Sequence, residues 1–272
     1  MKQITTIILL VLFVSCNRSN VPFSFVQVCD PQLGMGGYAH DTLVLNRAVD
    51  QINEMEVDFV IFCGDLVNHA SDSSFSDFLH IISDLDVPYY LVPGNHDVGR
   101  IPNDTSLAFY RNTFGKDYYA IHHKGIAFLF TNSQLWIADA GEESQRQDSW
   151  FSETLQNIQP KDRIVVIGHY PIYIQEIDEE ESYFNFPMDK RTELLDLFSS
   201  HNVKAYLSGH KHQLVVNTFK GIQLVTGEST SRNFDDRPMG FRKWDVTKDT
   251  LLHSFVAVEL PLAKDSLFRI QE

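Results

Sequence analysis

Five stretches of the chain each end an apolar run in residue types that bind metal ions: Asp30 with Gln32, Asp65, Asn95 with His96 and Asp97, His169, and His210 with His212. The most telling is Leu91–Gly99, where Pro93-Gly94 closes the run and releases Asn95, His96 and Asp97 in succession. Leaving out His96 and Asp97, the donors are two carboxylates, two side-chain amides and three imidazoles. That is enough for two metal ions sharing one bridging carboxylate. A mixed oxygen and nitrogen set suits Zn, Mn or Fe better than a thiolate metal. Two such ions about 3.5–4 Å apart can bind a bridging hydroxide and a phosphoryl oxygen together, clamping an in-line displacement.

Each stretch also has an ordinary reading. A histidine after a glycine is commonly a structural hydrogen-bond donor, and an aspartate at a strand end commonly caps a helix. Gly209-His210-Lys211-His212 could be a mononuclear zinc pair or an accident. The joint pattern says more, because every stretch follows an apolar strand and carries a glycine or proline that permits a sharp turn.

The elements that would position these residues are legible from periodicity. Phe23–Cys29, Val57–Cys63 and Pro88–Val92 read as buried strands, with helices expected over His40–Met55 and Phe75–Leu85. That alternation implies right-handed βαβ units and a mainly parallel sheet, whose strand ends would converge on one edge. On extended backbone, Asp30 and Gln32 would face one side together. A helix over Thr105–Phe114 leads to a hairpin, Tyr118–Ile121 and Ile126–Asn132, turning at Lys124-Gly125. Helices over Ser144–Ile158 and Arg191–Ser200 flank strands Arg163–Ile167 and Val203–Leu207. From Leu214 onward only strands are expected, which suggests a second sheet packed on the first. The run Glu176, Asp178, Glu179, Glu180, Glu181 and the aromatic stretch after it read as a solvated loop. The alternative is a wall facing the substrate, since this loop leaves directly after His169.

Asp-x-Gln, Gly-Asp-x-x-Asn, Gly-Asn-His-Asp, Gly-His and Gly-His-x-His, in this order, resemble the calcineurin-like metallophosphoesterase superfamily. Asp30-Pro31-Gln32-Leu33-Gly34, Asn132-Ser133-Gln134 and Ile177-Asp178-Glu179 running to Tyr183-Phe184-Asn185 are similar, more narrowly, to its members linked to Ser/Thr protein phosphatases. The resemblance implies an α/β fold with a two-layer β sandwich flanked by helices. It implies a first ion on Asp30, Gln32, Asp65 and His212, and a second on Asp65, Asn95, His169 and His210. It further implies Asn95 at the substrate and His96 as the general acid that protonates the leaving oxygen, oriented by Asp97. A histidine is chemically suited to that task near neutral pH.

Two positions depart from the superfamily's pattern. Gln32 stands where most members have histidine, and an amide oxygen is a weaker, harder donor that favours Mn or Fe over Zn. Asn68 stands where many phosphodiesterase-like relatives carry aspartate, and purple acid phosphatases would need a tyrosine there. Arg100 lies just past Gly-Asn-His-Asp, and Arg237 and Arg242 flank Pro238-Met239-Gly240; each reads most simply as a surface arginine, and Arg242 is the expected phosphate contact.

Composition bounds the rest. At 272 residues, 43% hydrophobic and 21% charged, the chain is ordinary for a globular protein. Its net charge of -14 argues against nucleic acid or anionic lipid as a broad partner. Lys2 followed by the apolar run Ile4–Val14 and Ser15-Cys16 reads as an export signal, too short to span a bilayer comfortably. It resembles a bacterial lipoprotein signal with Cys16 as the lipidated residue, although Phe13 departs from the usual leucine. A cleaved secretory signal or an uncleaved anchor are the alternatives. Residues 1–20 are thus expected as signal and tether, and 21–272 as one domain, monomeric, at the periplasm or cell surface. Cys29 and Cys63 read as small buried hydrophobes, although two nearby cysteines could pair in an oxidising compartment. The expected activity is hydrolysis of phosphomonoesters of unknown identity. The alternatives are a phosphodiesterase acting on nucleotides or phospholipid head groups, and a non-catalytic surface lipoprotein that binds a ligand.

Overall fold

Strands that are apolar on both faces need cover on both sides, and this chain supplies it with two sheets face to face and helices outside each. The computed structural model describes residues 21–260; residues 1–20, expected as signal and tether, lie outside them. In chain order the elements are β1 (Phe23–Val28), α1 (Tyr38–Asn53), β2 (Phe59–Cys63), α2 (Asp72–Ile82), β3 (Tyr89–Val92), the single turn α3 (Asn95–Val98) and α4 (Asp104–Phe114). Next come β4 (Tyr119–His123), β5 (Ile126–Phe130), the short α5 (Gln134–Ile137), α6 (Glu142–Asn157), β6 (Arg163–Ile167) and α7 (Met188–Ser200). The chain closes with β7 (Val203–Ser208), β8 (Val215–Phe219), β9 (Ile222–Thr226), β10 (Gly240–Val246) and β11 (Leu251–Ala257).

One sheet has the order β11-β10-β1-β2-β3 and the other β4-β5-β6-β7-β9-β8. β1, β2 and β3 pair in parallel, as do β5, β6, β7 and β9, while antiparallel strands finish the edges. The four last strands do not build a second sheet, contrary to the expectation. β8 and β9 extend the sheet that the β4–β5 hairpin began, and β10 and β11 return to β1. Alternating hydrophobicity reports burial but not which strand lies alongside, so this split was invisible in the pattern.

Between the sheets lies an aromatic layer. Phe25 stacks on Phe59 at 5.2 Å and on Trp244 at 5.8 Å, with Phe128 edge-on at 5.5 Å. Buried in it, Gln27 donates from Nε2 to Ser208 O of the opposite sheet at 3.0 Å and accepts from Trp244 Nε1 at 2.9 Å. This polar clamp sits three residues before Asp30 and fixes how the two sheets register at their ends. Outside, α1, α2 and α4 cover the first sheet, and α6 and α7 the second. Ser71 caps α2 by accepting from Ser74 N–H, and Asn103 caps α4 by accepting from Thr105 and Ser106 N–H.

Candidate metal centre

The proposed ligands come from two sheets rather than one edge. β1, β2 and β3 deliver Asp30/Gln32, Asp65 and Asn95, while β6 and β7 of the facing sheet deliver His169 and His210/His212. The backbone is not extended there either. Asp30, Gln32, Asp65, His210 and His212 have φ of 46°, 34°, 48°, 69° and 52°, all left-handed. Each such residue costs about 1–3 kcal/mol and persists only where its surroundings hold it. The hold is visible. Gln32 N–H donates to Asp65 O at 2.9 Å, His96 N–H to Asp65 Oδ1 at 2.9 Å, and His210 N–H to both oxygens of Asp30 at 2.9 and 3.0 Å. The Asp30 carboxylate therefore ties one sheet to the other. Two glycines permit the approach: a Cβ on Gly209 would sit 2.6 Å from Asp30 Oδ2, and one on Gly94 would collide with Asp65 Oδ1.

Donor atoms of Asp65, His169 and His210, all buried, lie within 4.8 Å of one another. His169 Nε2 is 3.3 Å from Asp65 Oδ2 and 3.2 Å from Asn95 Oδ1, and His212 Nε2 is 3.6 Å from Asp30 Oδ1. Every imidazole is anchored to a backbone carbonyl through one ring nitrogen: His169 Nδ1 to Cys63 O at 2.7 Å, His212 Nδ1 to Arg232 O at 2.6 Å, and His210 Nε2 to Tyr183 O at 3.0 Å. Such bonds select the tautomer that leaves the other nitrogen as a lone-pair donor, the usual support for a metal-bound histidine. The two amides are likewise presented oxygen first. Gln32 Nε2 donates to Asn68 Oδ1 at 3.3 Å, leaving a buried Oε1 with no partner among the described residues. Asn95 Nδ2 donates to Tyr183 Oη at 3.2 Å, leaving Oδ1 toward His169. An orphaned buried acceptor costs about 1–3 kcal/mol, and a cation would relieve it. The residues present fit a metal centre.

The charges point the same way. Burial works against a charged His169, but Asp65 and Asp30 overcome it and push its pKa up to about 9. Burial, and then the His169 charge, push His210 down to about 3, so it is neutral across the physiological range. Asp65 is held well below the usual carboxylate range despite its burial, chiefly by His169. Burial raises Asp30, although His212 and His169 offset part of that. A proton on His169 thus stands where the donor set calls for a cation.

Metal-free protein should therefore lose stability as pH rises. His169 has a folded value of about 9, above its ordinary 6.5, so its contribution is complete below 6.5 and lost as pH passes 9. Melting of chelator-treated protein between about pH 6 and pH 9.5 should show a falling Tm, with Mn2+ raising Tm most at the alkaline end. A flat profile, or equal protection at every pH, would contradict this charge balance.

Three expectations need correction. Asp97 does not orient His96, because consecutive residues on the α3 turn project about 100° apart. The Asp97 carboxylate accepts from Leu66, Val67 and Gly94 N–H, bracing the loop around Asp65. His96 is oriented by Asn68 instead, whose carbonyl oxygen lies 2.8 Å from Nδ1. Arg242 is not presented to substrate: its buried guanidinium donates to both oxygens of Glu228, at 2.8 and 2.6 Å, and to His253 Nδ1 at 2.9 Å. The acidic loop is solvated only in part. Glu179 folds back to accept from Ile174, Gln175 and Glu176 N–H, and buried Arg191 gathers the carbonyls of Ile177, Glu179 and Phe186.

Residues beyond the sequence reading also shape the site. Tyr170 stacks on His210 at 3.7 Å, Phe234 stacks on His212 at 4.5 Å, and Ser133 Oγ accepts from the His169 and Tyr170 N–H groups. Tyr170 and Ser133 lie in or beside the motifs, so their neighbourhood was signalled though their contacts were not. Arg100 is exposed, with its guanidinium 5.4 Å from the centre of the Tyr183 ring, and forms no ion pair among the described residues. The two departures from the superfamily's pattern, Gln32 and Asn68, are bonded to each other.

Two facing sheets with oxygen and nitrogen donors gathered at their ends define a class, the metal-dependent hydrolases of phosphate esters. The model of the calcineurin-like phosphoesterase family matches residues 24–214, and the chain belongs to that family. Serine/threonine-protein phosphatase CPPED1 of Bos taurus is 29% identical over 265 residues, spanning 88% of this chain and 84% of its own. A 3',5'-cyclic adenosine monophosphate phosphodiesterase, CpdA of Haemophilus influenzae, is 25% identical over 224 residues and 77% of each chain. The crystal structure of a dimetal phosphatase from Danio rerio, LOC 393393, superposes with a TM-score of 0.68 at 15% identity, covering 86% of this chain and 95% of that one.

Proposed function

We propose that the chain hydrolyses phosphomonoesters at a dinuclear centre, with Asp30, Gln32, Asp65 and His212 holding one ion and Asp65, Asn95, His169 and His210 the other. The observation that carries this reading is the presentation of the donors. Three imidazoles and two amides are each anchored through one polar atom, with His169 and His210 gathered at buried Asp65, Asn95 Oδ1 beside His169 and His212 Nε2 beside buried Asp30. Bound metal supplies Lewis acidity toward the phosphoryl oxygens and a nucleophile from water at neutral pH. The protein's own groups do the rest. His96, half-buried with Nδ1 held by Asn68 O, keeps Nε2 for the proton that the leaving oxygen takes. Asn95 positions the ester from α3. Arg100, exposed beside that turn and without an ion pair among the described residues, offers two donors to phosphate oxygens.

The monoester preference draws its support from likeness to a protein phosphatase over 88% of this chain, against 77% for the cyclic-nucleotide enzyme. Mono- and bis-(4-nitrophenyl) phosphate, compared under the same Mn2+ or Fe loading, separate the readings. The monoester should show the larger kcat/KM by at least about tenfold, a difference of about 1.4 kcal/mol in transition-state stabilisation. A reversed ratio would favour the phosphodiesterase. No turnover with either ester, despite stoichiometric metal, would favour a non-catalytic binding protein. We also infer an exported monomer, lipid-anchored at Cys16, that uses neither nucleic acid nor the membrane surface as a partner. That placement draws on the apolar N-terminal run and the acidic composition. Mass analysis of the mature N-terminus tests the lipid.

A further inference from the structure

We infer that Tyr183 is a positioning residue for the second ion, the strap through which the loop after His169 sets that ion's affinity. The inference rests on the two-ion reading above and adds a control over one ion alone. Tyr183 touches ligands from both sheets. Its carbonyl oxygen lies 3.0 Å from His210 Nε2 at the end of β7, and its hydroxyl accepts from Asn95 Nδ2 at 3.2 Å after β3. The first bond keeps Nδ1 of His210 as the free nitrogen. The second turns the Asn95 amide so that oxygen, and not nitrogen, faces His169.

Both ligands belong to the proposed second ion, whereas Gln32 and His212 of the first bond to Asn68 and Arg232 and share no hydrogen bond with Tyr183 among the described residues. The strap is itself built in. Asn185 Oδ1 accepts from Ser182 N–H at 2.7 Å, and its Nδ2 donates to Glu179 Oε1 at 2.6 Å and Glu180 O at 2.9 Å. This closes the turn that carries Tyr183. Arg191, buried beneath, holds both ends of the loop by their carbonyls. Tyr170 stacks on the His210 ring at 3.7 Å, so the imidazole is fixed by a ring against its face and a carbonyl at its rim.

The test is Mn2+ titration of the metal-free full chain by calorimetry and electron paramagnetic resonance, on wild type, Tyr183→Phe and Asn185→Ala. Asn95→Ala and Gln32→Ala assign the two equivalents. Tyr183→Phe should weaken about tenfold the equivalent that Asn95→Ala also weakens, sparing the one that Gln32→Ala weakens. Asn185→Ala, which leaves the tyrosine in place but loosens its turn, should weaken the same equivalent. Unchanged binding in Tyr183→Phe, or equal weakening of both equivalents, would overturn the inference while leaving the two-ion centre intact. Fewer than two equivalents in the wild type would overturn the centre and the strap together.

Discussion

Replacing Asp65 with asparagine should abolish stoichiometric metal binding and lower kcat/KM on the order of a thousandfold, the upper range for one preorganised electrostatic contact. The substitution isolates charge from shape. Asp65 sits at φ 48°, a conformation that asparagine tolerates, and its Oδ1 can still accept from His96 N–H. What changes is the oxygen 3.3 Å from His169 Nε2, where an NH2 group would meet a ring nitrogen that should share a cation. Without the carboxylate, His169 also loses the chief cause of its raised pKa. Elemental analysis and a steady-state assay check both halves. Full metal content with wild-type turnover would rule out the bridging role proposed for Asp65.

His96→Ala should behave in the opposite way, keeping its metal and losing turnover. General acid catalysis contributes about 10²–10⁴-fold, so an alkyl phosphate should suffer a loss in that range. An ester whose leaving group needs no proton should be nearly unaffected. The geometry makes this separation possible: the His96 side chain reaches Asn68 O rather than a ligand, and only its backbone N–H touches Asp65. A rate series over leaving-group pKa, wild type against variant, reads the effect. Equal losses across the series would mean that His96 acts on the fold or on substrate binding.

How far these residues could be read from the chain depends on the range of the interaction involved. The strands ending at Cys63, Val92 and Ile167, and the helices between them, follow from local periodicity, and the described elements agree within a few residues. The candidate ligand set was legible because each donor follows an apolar run at a glycine or proline. The contacts among them were not. Asp97 and His96 are adjacent in sequence, yet their partners are Leu66 N–H and Asn68 O, some thirty residues away. Arg242 looked available because Glu228, its partner, lies fourteen positions earlier with no periodic link to it. The left-handed backbone at Asp30 and His210 is likewise set by cross-sheet hydrogen bonds, which no local pattern records. Tyr183 stands in an aromatic stretch whose composition allows a wall, but only its two hydrogen bonds connect it to the proposed ligands of a single ion.

A crystal of the protein grown with Mn2+, with anomalous differences measured above the manganese edge, addresses the centre most directly. Two anomalous peaks are expected on either side of the Asp65 carboxylate, one near Gln32 and His212 and the other near Asn95, His169 and His210. A single peak, or peaks away from Asp65, would contradict the dinuclear centre.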